Sequence, residues 1–285
     1  MPELGTMIPE ELLQKYTNIH SKWIDISGVN VHYRDEGEGE TLLLVHGTFS
    51  SLHTFDEWTS ILKRKFRVIR LDIPGFGLTG PVKSKEYSID LFTKFLTDFA
   101  TALNISQFHL AGNSLGGWLS WEFALSNPDK VRKLILINSA GYINDRNYPL
   151  PFIIAQTPVL RSVFSFVPKT VVRRFVRQVF YNQSKVTNAV VDRYYDMLHR
   201  PGNKEAFVSL ANATFKQNTQ HLSDLDIPVL IQWGKEDRWI SVEHAYKFHR
   251  DISENELIIY EKTGHIPMEE CPEKSANDVI NFLLN

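Results

Sequence analysis

The sequence predicts an α/β fold, a mainly parallel sheet with helices on both faces, and three observations carry that expectation. Short apolar runs without polar alternation recur at 41–45, 108–111, 134–137, 229–232 and 257–260, which marks strands covered on both sides. Helical stretches follow these runs in turn. The chemically distinctive residues fall just past the carboxyl ends of the runs, where such sheets place their sites.

Residues 1–16 read as an N-terminal arm in which Pro9 starts a short helix. Residues 22–26 and 29–35 alternate apolar and polar around Ser27-Gly28, which predicts a β-hairpin. The run 41–45 is a central strand ending in His46-Gly47-Thr48-Phe49. A helix over 55–62 and a strand over 66–71 follow, the strand ending in Asp72-Ile73-Pro74-Gly75-Phe76-Gly77. Ser88 caps a helix to about Leu103, with Phe92, Phe95, Leu96 and Phe99 on one face. The strand 108–111 leads into a helix that stops near Asn127-Pro128. A last helix runs from Pro272 to Leu284.

With 285 residues, 43% of them hydrophobic, the chain suits one domain or one domain carrying an insertion. A net charge of −2 gives no global pointer to nucleic acid. The one cysteine, Cys271, excludes an internal disulfide framework, reads as a structural thiol and fits a reducing compartment. The first 20 residues hold acids and no continuous apolar block, so no signal peptide is expected. No apolar run reaches the ~18 residues of a membrane span. Cytoplasmic location is the resulting expectation.

Residues 143–222 break the α/β rhythm. They hold five prolines, helical patches, and 11 Lys and Arg against 4 Asp and Glu, a balance of +7 against −9 for the rest. Val171, Val172, Phe175, Val176, Val179 and Phe180 form one apolar stripe, with Arg173, Arg174 and Arg177 off it. The expected division is a core of 1–142 and 223–285 with a helical cap of 143–222, a lid that supplies an apolar pocket. The stripe could equally pack the cap onto the core, and a basic amphipathic helix can also bind a membrane surface.

The chain is organised around Gly112-Asn113-Ser114-Leu115-Gly116. A strand before and a helix after this Gly-x-Ser-x-Gly force a sharp turn that pushes the serine hydroxyl out at the sheet's carboxyl end. Side chains at Gly112 or Gly116 would clash with the neighbouring strand and helix. The plain alternative is Ser114 as an ordinary helix N-cap. A serine hydroxyl needs a base, and imidazole titrates in the right range. Of ten histidines, His265 lies in a loop directly after the last strand; His32 and His109 read as strand residues, and His46 as bonding within its own loop. The base needs an acid to fix its tautomer, and Asp237 follows the strand 229–232, its neighbour Glu236 pointing elsewhere. The oxyanion needs two donors: the N–H of Leu115, and that of Thr48 or Phe49. Phe49, Trp118, Phe152, Phe164 and Ile266 are candidate pocket walls.

These pieces together, His46-Gly47-Thr48, Asp72-x-Pro-Gly-x-Gly, Gly-Asn-Ser-Leu-Gly-Gly, Gly234-x-x-Asp237 and Gly264-His265, make the chain resemble an α/β-hydrolase of the capped esterase and lipase group. The resemblance implies an eight-stranded, mostly parallel sheet, a cap inserted after the sixth strand at 134–137, and no cofactor. Related dehalogenases and epoxide hydrolases carry aspartate at the position of Ser114. Meta-cleavage-product hydrolases, which cut carbon–carbon bonds, also resemble the chain; they commonly carry tryptophan where Ile266 stands. Proline iminopeptidases usually have tryptophan where Leu115 stands.

The expected function is hydrolysis of small to medium apolar carboxylic esters, with carbon–carbon hydrolysis or a non-turnover small-ligand receptor on the same fold as alternatives. The expected partner is a small-molecule ester, with no nucleic acid and no membrane span. Gly75 to Gly80 matches the dinucleotide fingerprint Gly-x-Gly-x-x-Gly but reads as a loop, because Pro81 follows at once. No His-Glu-x-x-His zinc pattern occurs.

Overall fold

The computed structural model describes residues 7–142, 150–158, 166–216 and 218–285. Eight strands form one sheet: β1 (Ser21–Ile26), β2 (Val29–Glu36), β3 (Thr41–Val45), β4 (Arg67–Leu71), β5 (Phe108–Asn113), β6 (Val131–Ile137), β7 (Val229–Gly234) and β8 (Asn255–Tyr260). Their order across the sheet is β1-β2-β4-β3-β5-β6-β7-β8. β2 runs antiparallel to β1 and β4, and every other neighbouring pair is parallel. All residues of β5 and of β7 are buried, which is why those segments read as unbroken apolar runs.

Helices α1 (Glu10–Tyr16), α2 (Asp56–Leu62), α3 (Ile89–Ala102) and α4 (Leu115–Ser126) precede the last two strands. Ser88 caps α3 as expected, its hydroxyl accepting from the N–H of Leu91. α4 is buried on ten of its residues, so it is apolar on every side rather than amphipathic. Between β6 and β7 the described chain holds α5 (Leu150–Gln156), α6 (Lys169–Val179), α7 (Asn188–His199) and α8 (Asn203–Ala211). α9 (Glu243–Asp251), α10 (Pro267–Glu270) and α11 (Pro272–Leu284) complete the chain. Among the described residues no helix is long and apolar enough to cross a membrane.

The segment Gly75–Gly80 is a closed loop in which the Gly75 N–H donates to the Gly80 carbonyl at 2.6 Å. The next helix is α3, which starts at Ile89, so these glycines open no helix N-terminus that could cradle a pyrophosphate. Their role is packing: a Cβ at Gly77 would lie 2.1 Å from Cγ of buried Asp72. Asp72 accepts from the N–H of Leu52 and of Leu78, and one of its oxygens is 2.8 Å from His32 Nδ1. Burial alone would raise its pKa, but the bond and charge of His32 hold it far below the usual range.

Candidate active site

Parallel register brings the carboxyl ends of β5, β6, β7 and β8 to one rim, and Ser114, Asn138, Asp237 and His265 follow those ends. The turn from β5 to α4 leaves Ser114 at φ 57° and ψ −119°, a conformation that costs a non-glycine residue on the order of 1–3 kcal/mol. Surrounding contacts impose it. The Ser114 N–H donates to the Ile137 carbonyl at 3.1 Å, and the Ser114 carbonyl accepts from Trp118 at 3.1 Å and Ala140 at 3.0 Å. The glycines permit the approach: a Cβ at Gly112 would lie 2.2 Å from the Gly116 carbonyl oxygen, and one at Gly116 would lie 2.2 Å from that of Val45. A Cβ at Gly47 would come within 2.7 Å of Ser114 Cβ, so the loop after β3 presses against the serine.

His265 Nδ1 lies 2.7 Å from Asp237 Oδ2. Three donors hold the carboxylate in place: Asn138 Nδ2 to Oδ2 at 2.7 Å, and the N–H groups of Trp239 and Ile240 to Oδ1 at 2.7 and 3.0 Å. Asp237 is thus a buried carboxyl group whose two oxygens both accept hydrogen bonds and which faces one imidazole edge. Glu236 turns away and accepts from the Thr263 N–H. The His265 backbone is also fixed. Its N–H donates to Val179 of α6 at 2.8 Å, and its carbonyl accepts from Asn113 Nδ2 at 3.1 Å.

Ser114 and His265 face one cavity of about 120 Å³, which Thr48, Phe49 and Ile266 also line. Phe49 holds φ 61°, a rare value for an aromatic residue. The Ile73 N–H donates to His46 Nε2, so His46 Nδ1–H donates to the Gly47 carbonyl at 2.7 Å and fixes that peptide's plane. Burial lowers the His46 pKa and keeps the ring neutral for this role.

Two expected walls do not touch the cavity. Trp118 lies one turn along α4, where its Nε1–H donates to Glu122 and its ring meets Phe215 at 5.4 Å. Phe152 packs edge-on against Phe207 at 5.1 Å, while Pro151 and Ile154 of the same helix turn inward. Phe164 lies outside the described residues. The apolar stripe does face the site: Val171, Val172, Phe175, Val176 and Val179 line the cavity. Leu115 is buried at the first position of α4. Cys271 is half-buried, and burial pushes its thiol up.

Asn138, Asn113 and Glu270 escaped the sequence reading. Asn138 adopts φ 43°, which asparagine tolerates better than most residues, and an asparagine directly after a buried strand was the available signal. Glu270 accepts from the N–H groups of Gly264, Tyr181 and Asn182, joining the histidine loop to the end of α6. No local pattern marks it. His53, without distinguishing context in the sequence, is buried beside Arg34 at 3.1 Å, and burial lowers its pKa to about 4.

The family described as alpha/beta hydrolase fold matches residues 40–272. The chain belongs to that family. Among its relatives, a 2-hydroxy-6-oxo-2,4-heptadienoate hydrolase of Pseudomonas putida is 28% identical over 87% of this chain and 92% of its own. An uncharacterized hydrolase of Bacillus subtilis is 27% identical over 90% of this chain and 96% of its own. Among solved structures, a meta-cleavage product hydrolase of Pseudomonas fluorescens superposes with a TM-score of 0.78 at 26% identity, covering 93% of this chain and 98% of the other. These matches agree with the eight-stranded sheet and make the alpha/beta hydrolase a hydrolytic enzyme; the bond it cuts is a separate question.

Proposed function

We propose that this alpha/beta hydrolase is a serine esterase acting on neutral, apolar carboxylic esters, with residues 143–222 as its cap. Ser114 Oγ attacks the acyl carbon as His265 Nε2 takes its proton. Asp237 holds Nδ1–H and balances the charge of the resulting imidazolium. The N–H of Leu115 and that of Thr48 or Phe49 receive the oxyanion. The carbon–oxygen bond then breaks, and His265 returns the proton to the leaving alkoxide. A water deprotonated by His265 attacks the acyl-enzyme, releases the acid and restores Ser114.

The observation that carries this reading is the character of the cavity: among the described residues lining it there is no Lys, Arg, Asp or Glu. A cavity of about 120 Å³ is near the size that holds a benzene-like group, so it suits short acyl groups or the first carbons of longer ones. The relative named as a heptadienoate hydrolase and the solved structure of a meta-cleavage product hydrolase favour carbon–carbon cleavage as the second reading. A dienoate brings a carboxylate, and burying an unpaired carboxylate is costly. The cation beside cavity-lining Tyr194 is Arg193, and Glu269 already holds it through both carboxylate oxygens at 2.6 and 2.7 Å.

The test is a series of p-nitrophenyl esters of increasing acyl length beside a vinylogous diketone acid. The expected result is a kcat/KM at least about 100-fold higher for the best ester. A preference of that size for the diketone acid would establish carbon–carbon hydrolysis instead.

A further inference from the structure

We propose that the mouth of the cavity docks on an anionic phospholipid surface, so that acyl substrates enter from the lipid rather than from water. The use of the docked state to feed Ser114 rests on the esterase reading; the docking itself does not.

Nine large apolar side chains are exposed among the described residues, and five of them, Leu150, Ile153, Phe166, Val171 and Tyr181, lie on or beside the described segments 150–158 and 166–179 that line the cavity. Leu150 and Ile153 of α5 are 51% and 46% exposed, while their neighbours Pro151 and Ile154 line the cavity. Phe166 is 82% exposed and Val171 37%, and both also line the cavity. These two side chains therefore stand at its mouth, each lining the cavity while partly in water. Such a continuous apolar path from solvent inward is a liability for a protein that meets only water, and marks an interaction site.

The charge beside this path is of one sign. α6 carries Lys169, Arg173, Arg174 and Arg177 and no acid. Lys169 pairs with Asp192, and Arg173 donates to Asn188. Arg174 and Arg177 are exposed, and among the described residues no carboxylate pairs with either. Arg174 is one helical turn from Val171, so cation and apolar rim share a face. The described residues between 150 and 216 carry nine Lys and Arg against three Asp and Glu, an excess that would turn this side of the molecule toward an anionic surface. A protein seated on the rim would close the way to Ser114. A bilayer instead supplies apolar chains through the same opening, and the rim shields the part of a chain that a 120 Å³ cavity leaves outside.

The test uses the full chain with Ser114→Ala, so binding is read without turnover. It is sedimented with vesicles of phosphatidylcholine alone and of phosphatidylcholine mixed equally with phosphatidylglycerol. The expected result is binding to the mixed vesicles only, weakened by salt. Adding Arg174→Gln and Arg177→Gln is expected to lower the partition coefficient roughly tenfold or more. In the wild-type background the same two substitutions leave hydrolysis of a soluble short ester unchanged. Absence of binding to the mixed vesicles overturns the proposal, as does equal binding to both lipids that ignores the arginines. A concentration-dependent dimer that the arginine substitutions dissolve assigns the patch to a second copy and also overturns it. Vesicle binding together with failure of every ester leaves the docking standing and removes only the esterase reading.

Discussion

The rim of the sheet and the helices that wall the cavity above it are held by different means. On the rim, backbone groups and two asparagine side chains, Asn113 and Asn138, fix the geometry. Ser114 is forced to positive φ by bonds to strand ends and by glycine contacts, and Asp237 is gripped by three donors besides the imidazole. In the wall, Val171, Val172, Phe175, Val176 and Val179 turn only apolar side chains to the cavity, and the polar ties of this segment are the Val179 carbonyl bonded to the His265 N–H, the Arg193–Glu269 pair and Glu270. On the proposed reading, chemistry sits where geometry is over-determined, and substrate choice sits where side chains can change size without moving the backbone.

The sharpest way to break that division is on the rim. Asp237→Asn keeps the shape but removes the charge and favours the wrong tautomer of His265. Ester turnover is expected to fall on the order of 10⁴-fold with the melting temperature within a few degrees of wild type. The next effect in size concerns the tie. Arg193→Met leaves half-buried Glu269 without its cation, and a loss of about 3 kcal/mol, the low end for a broken buried pair, is expected in denaturant unfolding. Adding Glu269→Leu should recover most of it, since the uncompensated charge is then gone.

A pH titration separates the core's own polar groups from both regions. His53 has a folded pKa lowered to about 4, and burial lowers those of His46 and His109 as well. The unfolded chain takes up these protons near the ordinary pKa of about 6.5 while the folded one does not. Stability is therefore expected to fall as pH drops from about 6.5 toward 4, with His53 contributing up to about 3 kcal/mol. Asp72, held low, adds its loss only below the usual carboxylate range. His53→Gln should flatten the upper window. The smallest effect is expected in the wall: Val176→Ala enlarges the cavity and should shift the best acyl length upward, changing relative kcat/KM tenfold or less. An unchanged chain-length profile would show that these valines do not set specificity.

What the sequence disclosed follows the same division. Strands covered on both faces leave apolar runs, the Ser88 cap leaves a serine before a helix, and the elbow leaves its glycines, so these were legible at the level of a few neighbouring residues. Asn138 and Glu270 act across long separations in the chain, 99 residues to Asp237 and 89 to Tyr181, and no local pattern encodes such partners. Trp118 and Phe152 were misplaced because aromatic character near a site does not say which way a helix turns its face. His53 gave no sign of burial because two of its partners, the Tyr16 carbonyl and the Arg34 guanidinium, lie on elements far away in the chain.

The most direct measurement is the mass of the peptide containing Ser114, from enzyme quenched within the first turnover of a p-nitrophenyl ester. The expected result is one added acyl group on Ser114, absent in Ser114→Ala together with turnover. Full turnover by Ser114→Ala, or an acyl group carried on another residue, would contradict the central claim.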